Sequence, residues 1–147
     1  MKKQILVSIA TLSIIFTLAI TGLANLKNSV TVDIPFAFTV QGKTLPAGEY
    51  VIAPGRIEGT VVITNKKTGE FTLSTAMHVS GKTDNSARLI FRRYGQQAFL
   101  AEVYDGTDGG QSLPKSSAER AIANGKGDFL ARNAEPEIVT LGAEVTR

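Results

Sequence analysis

The chain has no cysteine, no tryptophan and a single histidine in 147 residues. Without cysteine there is no disulfide to restrict the unfolded state, no thiol nucleophile, no thiolate metal site and no redox motif. Packing alone must hold the fold together. A zinc site would have to be built almost entirely from carboxylates, because His78 is the one imidazole available. No G-x-S-x-G elbow is present to set a serine beside it. His78 falls on the polar side of an alternating segment and reads as a surface residue. The lack of tryptophan removes the favoured aromatic platform for a sugar ring. Long apolar runs are also missing, with one exception at the N-terminus.

That exception is residues 1–24. Lys2 and Lys3 precede an apolar run that meets no further charge until Lys27, and Gly22 and Ala24 occupy the small positions a signal peptidase selects. The layout predicts a signal peptide over 1–24, a mature chain over 25–147 and a periplasmic or secreted location. Its alternative is an uncleaved inner-membrane anchor over residues 4–26, since about 20 apolar residues suffice to span a bilayer. Thr11, Ser13, Thr17 and Thr21 dilute the run and favour cleavage. The segment carries two of the 16 basic residues and none of the 13 acidic ones, so its removal lowers the net charge from +3 to +1. A nearly neutral exported chain has neither the charge nor the compartment for nucleic acid.

Residues 25–147 are enough for one core and too few for two. They read as strands punctuated by glycine turns. In Val30-Thr-Val-Asp-Ile34-Pro-Phe36-Ala-Phe38-Thr-Val40 every even position is apolar, which predicts one long strand with those six residues buried. Pro35 cannot donate to a ladder, so this strand is expected at a sheet edge or bent at the proline. Glu49 to Ala53 follows as a second strand. Gly59 to Thr64 and Glu70 to Val79 form a hairpin around Asn65-Lys-Lys-Thr-Gly69. Its second arm alternates Phe71, Leu73, Thr75, Met77 and Val79 with Thr72, Ser74, Ala76 and His78, and the first set is expected in the core.

A second hairpin joins Ala87–Tyr94 to Ala98–Tyr104 through Gly95-Gln96-Gln97. One helix is expected after Leu113-Pro114, because Ser116-Ser-Ala-Glu119 has capping-box spacing and Asn124-Gly125 supplies a stop. It is too short to stand alone and should dock through Leu113 and Ile122. Glu137 to Val145 is a final strand. The pattern predicts a mainly β fold of about seven strands, a small antiparallel sandwich or a partly closed barrel, with one short helix before the last strand.

Four segments together, Ile34-Pro-Phe-Ala-Phe38, Gly42-Lys-Thr-Leu-Pro-Ala-Gly-Glu-Tyr50, Arg93-Tyr-Gly95 with Phe99-Leu100 and Glu102, and Leu113-Pro-Lys-Ser-Ser-Ala-Glu-Arg120, resemble a group of small exported β-rich proteins common in acidobacteria. The resemblance implies an exported β-domain and no particular activity. The Leu-Pro-Ala-Gly-Glu-Tyr piece has a simple physical content: proline and glycine make a turn, and tyrosine anchors the following strand.

No catalytic constellation stands out, and no cofactor is expected. The loop Asp105-Gly-Thr-Asp108-Gly-Gly110 has oxygens for calcium but lacks the acidic spacing of an EF-hand, and reads as a turn. Glu49, Glu58, Glu70 and Glu102 lie on or near strands, with no spacing that singles out a pair. Tyr94 and Tyr104, at the ends of the second hairpin, are the candidates for a surface contact. The favoured reading is a non-catalytic envelope module that binds another protein, through the edge strand from Val30 to Val40. A carrier holding an apolar ligand among Phe36, Phe38, Phe71 and Phe91 is the alternative, and a hydrolase using two carboxylates is the third.

Overall fold

The computed structural model describes residues 29–80, 86–125 and 135–146. The signal or anchor segment, the loop 81–85 and Phe129 lie outside them. The described residues form twelve strands and one helix: β1 (Ser29–Ile34), β2 (Phe38–Val40), β3 (Lys43–Leu45), β4 (Gly48–Pro54), β5 (Thr60–Asn65), β6 (Phe71–Thr75), β7 (Met77–Ser80), β8 (Ala87–Tyr94), β9 (Gln97–Asp105), β10 (Gly109–Ser112), α1 (Ser117–Ala123), β11 (Glu137–Gly142) and β12 (Glu144–Thr146). The first sheet has the order β12-β1-β4-β5-β6. The second has the order β11-β8-β9-β10-β7, with β2 pairing parallel to β9 and antiparallel to β3. The fold is a mainly β sandwich, without a closed barrel.

Strands outnumber the expected seven by five: three apolar runs change sheets part-way, and two stretches expected as turn and loop, Lys43–Leu45 and Gly109–Ser112, pair as the short strands β3 and β10. The Val30–Val40 run breaks at Pro35, so β1 enters the first sheet and β2 the second. β6 passes to β7 at Ala76, and β11 passes to β12 at Ala143. Each corner alanine still donates its N–H to the sheet its strand is leaving, Ala76 to Gly59 at 2.8 Å and Ala143 to Ala87 at 2.9 Å. Such bends are how sandwiches build corners. The Val30–Val40 run is therefore no free edge: β1 lies between β12 and β4.

The core sits between the sheets. Cross-strand partners share a face, so Val30 with Ile52 and Ile63, and Val32 with Tyr50, bring their side chains together inside. Tyr50 is fully buried and donates its hydroxyl to the Pro46 carbonyl at 2.7 Å, closing the Leu-Pro-Ala-Gly-Glu-Tyr turn. Phe38 packs edge-on against both Tyr50 and Phe91, and Phe36 edge-on against Phe91. That end of the sandwich is filled by aromatic rings.

Helix α1 covers the outer face of the second sheet. Ser116 is its N-cap, accepting the Glu119 N–H at 3.1 Å. Ile122 packs with Tyr94 and Phe99 in a separate small cluster, whereas Leu113 belongs to the main core. The capping box is only half formed. The Glu119 side chain turns away from the cap and pairs with Arg92, burying its carboxylate under the helix.

Candidate interaction face and inter-sheet cavity

The hairpin β5–β6 departs most from the sequence expectation. Its turn is set by Asn65, whose side-chain oxygen accepts the N–H groups of Lys67 and Thr68, while its carbonyl accepts from Gly69 in a left-handed backbone of φ 72°. This turn aligns Val61 with Ser74, Val62 with Leu73, Ile63 with Thr72 and Thr64 with Phe71. Only one of the two alternating sets can face the core, because register fixes the face of every residue. Val61 and Ile63 continue the interior rows begun by Val30, Val32, Tyr50 and Ile52. Three apolar strands in register, β1, β4 and β5, thus outvote β6, and Thr72, Ser74 and Ala76 turn inward.

Phe71, Leu73 and Met77 are consequently on the outside, at 65%, 49% and 67% exposure, where the sequence had placed them in the core. Beside Phe71 and Leu73 on the same face lie the half-buried Val51 and Val62. Among the described residues no element covers this face, in contrast to the helix-covered outer face of the second sheet. β6 is also the last strand of its sheet. The Asn65–Glu70 and Gly59–Ala76 hydrogen bonds show that residues 70, 72, 74 and 76 turn their peptide groups toward β5. By the alternation of antiparallel ladders, those of Phe71, Leu73 and Thr75 point to the open side. Two side chains of the β2–β3 hairpin reach that edge: Gln41 donates to Ser74 and Thr75 hydroxyls at 3.2 and 3.4 Å, and Lys43 pairs with Glu70 at 2.5 Å. Both members of the Lys43–Glu70 pair are largely solvated, so it is a weak closure.

His78 is exposed, as its segment's polarity predicts. It pairs with Gln111, which pairs with the buried Val103, so this surface histidine stands at the end of the sandwich on the side that borders the interior. There it lines a cavity of about 90 Å³. Val30, Ile52, Val61 and Val103 form the apolar wall, and His78, Gln111, Thr107 and Asp105 stand on the polar side. The Asp105 carboxylate accepts the Thr107 N–H at 3.0 Å and hydroxyl at 2.6 Å. Neither the His78 imidazole nor the Gln111 amide has a hydrogen-bond partner among the described residues. Gly109 makes the position of His78 possible, because a Cβ there would overlap the imidazole; Gly110 does the same for the Tyr104 ring on the opposite face.

The two tyrosines expected at the surface have different fates. Tyr94 is buried, 4% exposed, against Phe99, and its hydroxyl lies 3.5 Å from Glu119. It cannot serve as a surface contact. Tyr104 is half-buried on the outer face of the second sheet, with the Arg88 guanidinium 4.4 Å above its ring. Its hydroxyl donates to Glu102 at 2.7 Å, and this bond, helped by burial and the carboxylate charge, raises the phenol above its ordinary pKa.

The expected ligand lining also dissolves. Phe36, Phe38 and Phe91 interlock with one another and Phe71 points to solvent, so these four enclose no space; the cavity lies among other residues. Glu49 is paired with Lys66, Glu70 with Lys43 and Glu102 with Tyr104, each on its own. No group of three or more metal-ligating side chains occurs among the described residues, and no helix there is long and apolar enough to cross a membrane. Comparison with known proteins finds no matching family model, curated protein or solved structure.

Proposed function

We propose that the protein is an exported, non-catalytic module of the cell envelope that binds an extended segment of another envelope protein along β6. The observation that carries this reading is the uncovered pair Phe71 and Leu73. Each leaves about half or more of roughly 1.5–3 kcal/mol of burial free energy unrealised in the free chain. They stand on a strand whose open edge offers the peptide groups of the same residues. A partner strand would satisfy those groups with main-chain hydrogen bonds and take its specificity from the Phe71, Leu73, Val62 and Val51 surface. The signal-like residues 1–24 support the compartment.

The test is a photo-crosslinking residue placed at 71 or 73, with the tagged protein purified from its native envelope. An adduct of discrete mass is expected from these positions and not from a control at Ile138, and Leu73→Lys should abolish it. A protein recovered alone, with no adduct at either position, would remove the reading. Mass analysis of the same preparation reports the N-terminus, expected at Asn25.

A further inference from the structure

The cavity beside His78 joins three features. Its wall is four buried aliphatic side chains from both sheets: Val30, Ile52 and Val61 from one, Val103 from the other. On its polar side the cross-strand neighbours His78, exposed, and Gln111, half-buried, bring an imidazole and a carboxamide that bond to none of the described residues and are open to a ligand. Under His78 lies Gly109, the first residue of β10 and outside the left-handed region, so the backbone does not require glycine there. A glycine in a strand often marks a close approach. Here the approaching group is the His78 ring.

We infer that this cavity is a binding site for a small uncharged amphiphile of the short-chain alcohol class, its apolar body against the valine and isoleucine wall and its hydroxyl between His78 and Gln111. The volume sets the size. About 90 Å³ is roughly three water volumes, or a body of about four carbons. The polar groups set the chemistry. A neutral imidazole offers one donor and one acceptor, and a carboxamide offers both, so together they can accept from and donate to one hydroxyl. Asp105 sets the charge. Its carboxylate lines the same cavity and has only Thr107 as a partner, so an anionic head would meet a negative group in a partly apolar setting. This site is separate from the β6 face and does not depend on it.

The experiment is a titration of the isotopically labelled protein with isobutanol, followed by methyl and amide resonances. Saturable shifts in the millimolar range are expected at Val30, Ile52, Val61 and Val103 and at the Gly109–Gln111 amides. His78→Ala and Gln111→Ala, both at the cavity mouth, should each weaken binding by about fivefold while leaving the rest of the spectrum in place. Isobutyrate, the anion of the same shape, should bind at least about tenfold more weakly. Non-saturating shifts, shifts centred on Phe71 and Leu73, equal binding of isobutyrate, or binding indifferent to both variants would each overturn the assignment.

Discussion

Arg92 holds Glu119 with two hydrogen bonds, Nε to one carboxylate oxygen at 2.5 Å and Nη2 to the other at 3.2 Å, beneath the helix that carries the glutamate. The Glu119 side chain is 2% exposed and that of Arg92 15%. A seven-residue helix does not persist by itself in water, so this pair and Ile122 anchor it to the second sheet.

Removing one partner should therefore cost far more than removing both. Glu119→Ala leaves the Arg92 cation facing a gap in a desolvated site and is expected to lower stability by about 3 kcal/mol in urea denaturation. The double variant Arg92→Met, Glu119→Leu should recover much of that loss. Equal losses in the single and double variants would mean that the pair is solvated and the helix is held by Ile122 alone.

The inverted facing of β6 makes a second prediction. The Thr72 hydroxyl is buried with no hydrogen-bond partner among the described residues. Thr72→Val keeps the shape and removes an unsatisfied group, so the urea midpoint should rise by the equivalent of about 1 kcal/mol. On the neighbouring residue the size of the effect differs from a core position: Leu73→Ala should change stability by less than about 0.5 kcal/mol, against about 3 kcal/mol for Ile63→Ala.

Tyr104 should give the fold an alkaline limit. Its phenol is raised above 10.0 in the folded chain by the hydrogen bond to Glu102. Below the unfolded value both states are protonated and the contribution is fully present. As pH climbs past it the unfolded chain loses its proton first, and stability falls until the folded phenol ionises as well. Ultraviolet titration should show one tyrosine ionising late, lost in Tyr104→Phe and shifted down in Glu102→Gln.

Two glycines should respond in opposite senses to the same methyl group. Gly110→Ala would overlap the Tyr104 ring, which Arg88 and Glu102 hold in place, and should destabilise by about 1–2 kcal/mol. Gly142→Ala meets nothing within 4 Å and sits outside the left-handed backbone region, so it should stabilise by about 0.5 kcal/mol. Thermal denaturation of the two variants measures both.

Alternation is local information, and it located nearly every strand: the Val30–Val40 run, both hairpins and the last strand lie where the apolar residues recur. Choosing the buried face is a collective matter. Val30 to Val40 chose correctly because its apolar set is large and unopposed, whereas Phe71 and Leu73 lost to Val61 and Ile63 through a turn whose register Asn65 fixes. His78 is exposed as expected, but that it borders a cavity depends on its pairing with Gln111, which no spacing within β7 could reveal. Tyr94 was misplaced for a different reason: the helix that covers it arrives more than twenty residues later.

The corners at Ala76 and Ala143 have a consequence for how the molecule comes apart. Each is the midpoint of a segment that belongs to both sheets, so neither sheet can open without pulling half a strand from the other. The two layers are thus mechanically one unit, and partial opening that spares one sheet is not available at these two seams. For a chain without cysteine, such sharing does what a covalent staple does elsewhere: it ties distant stretches of sequence to a common fate in a single cooperative transition.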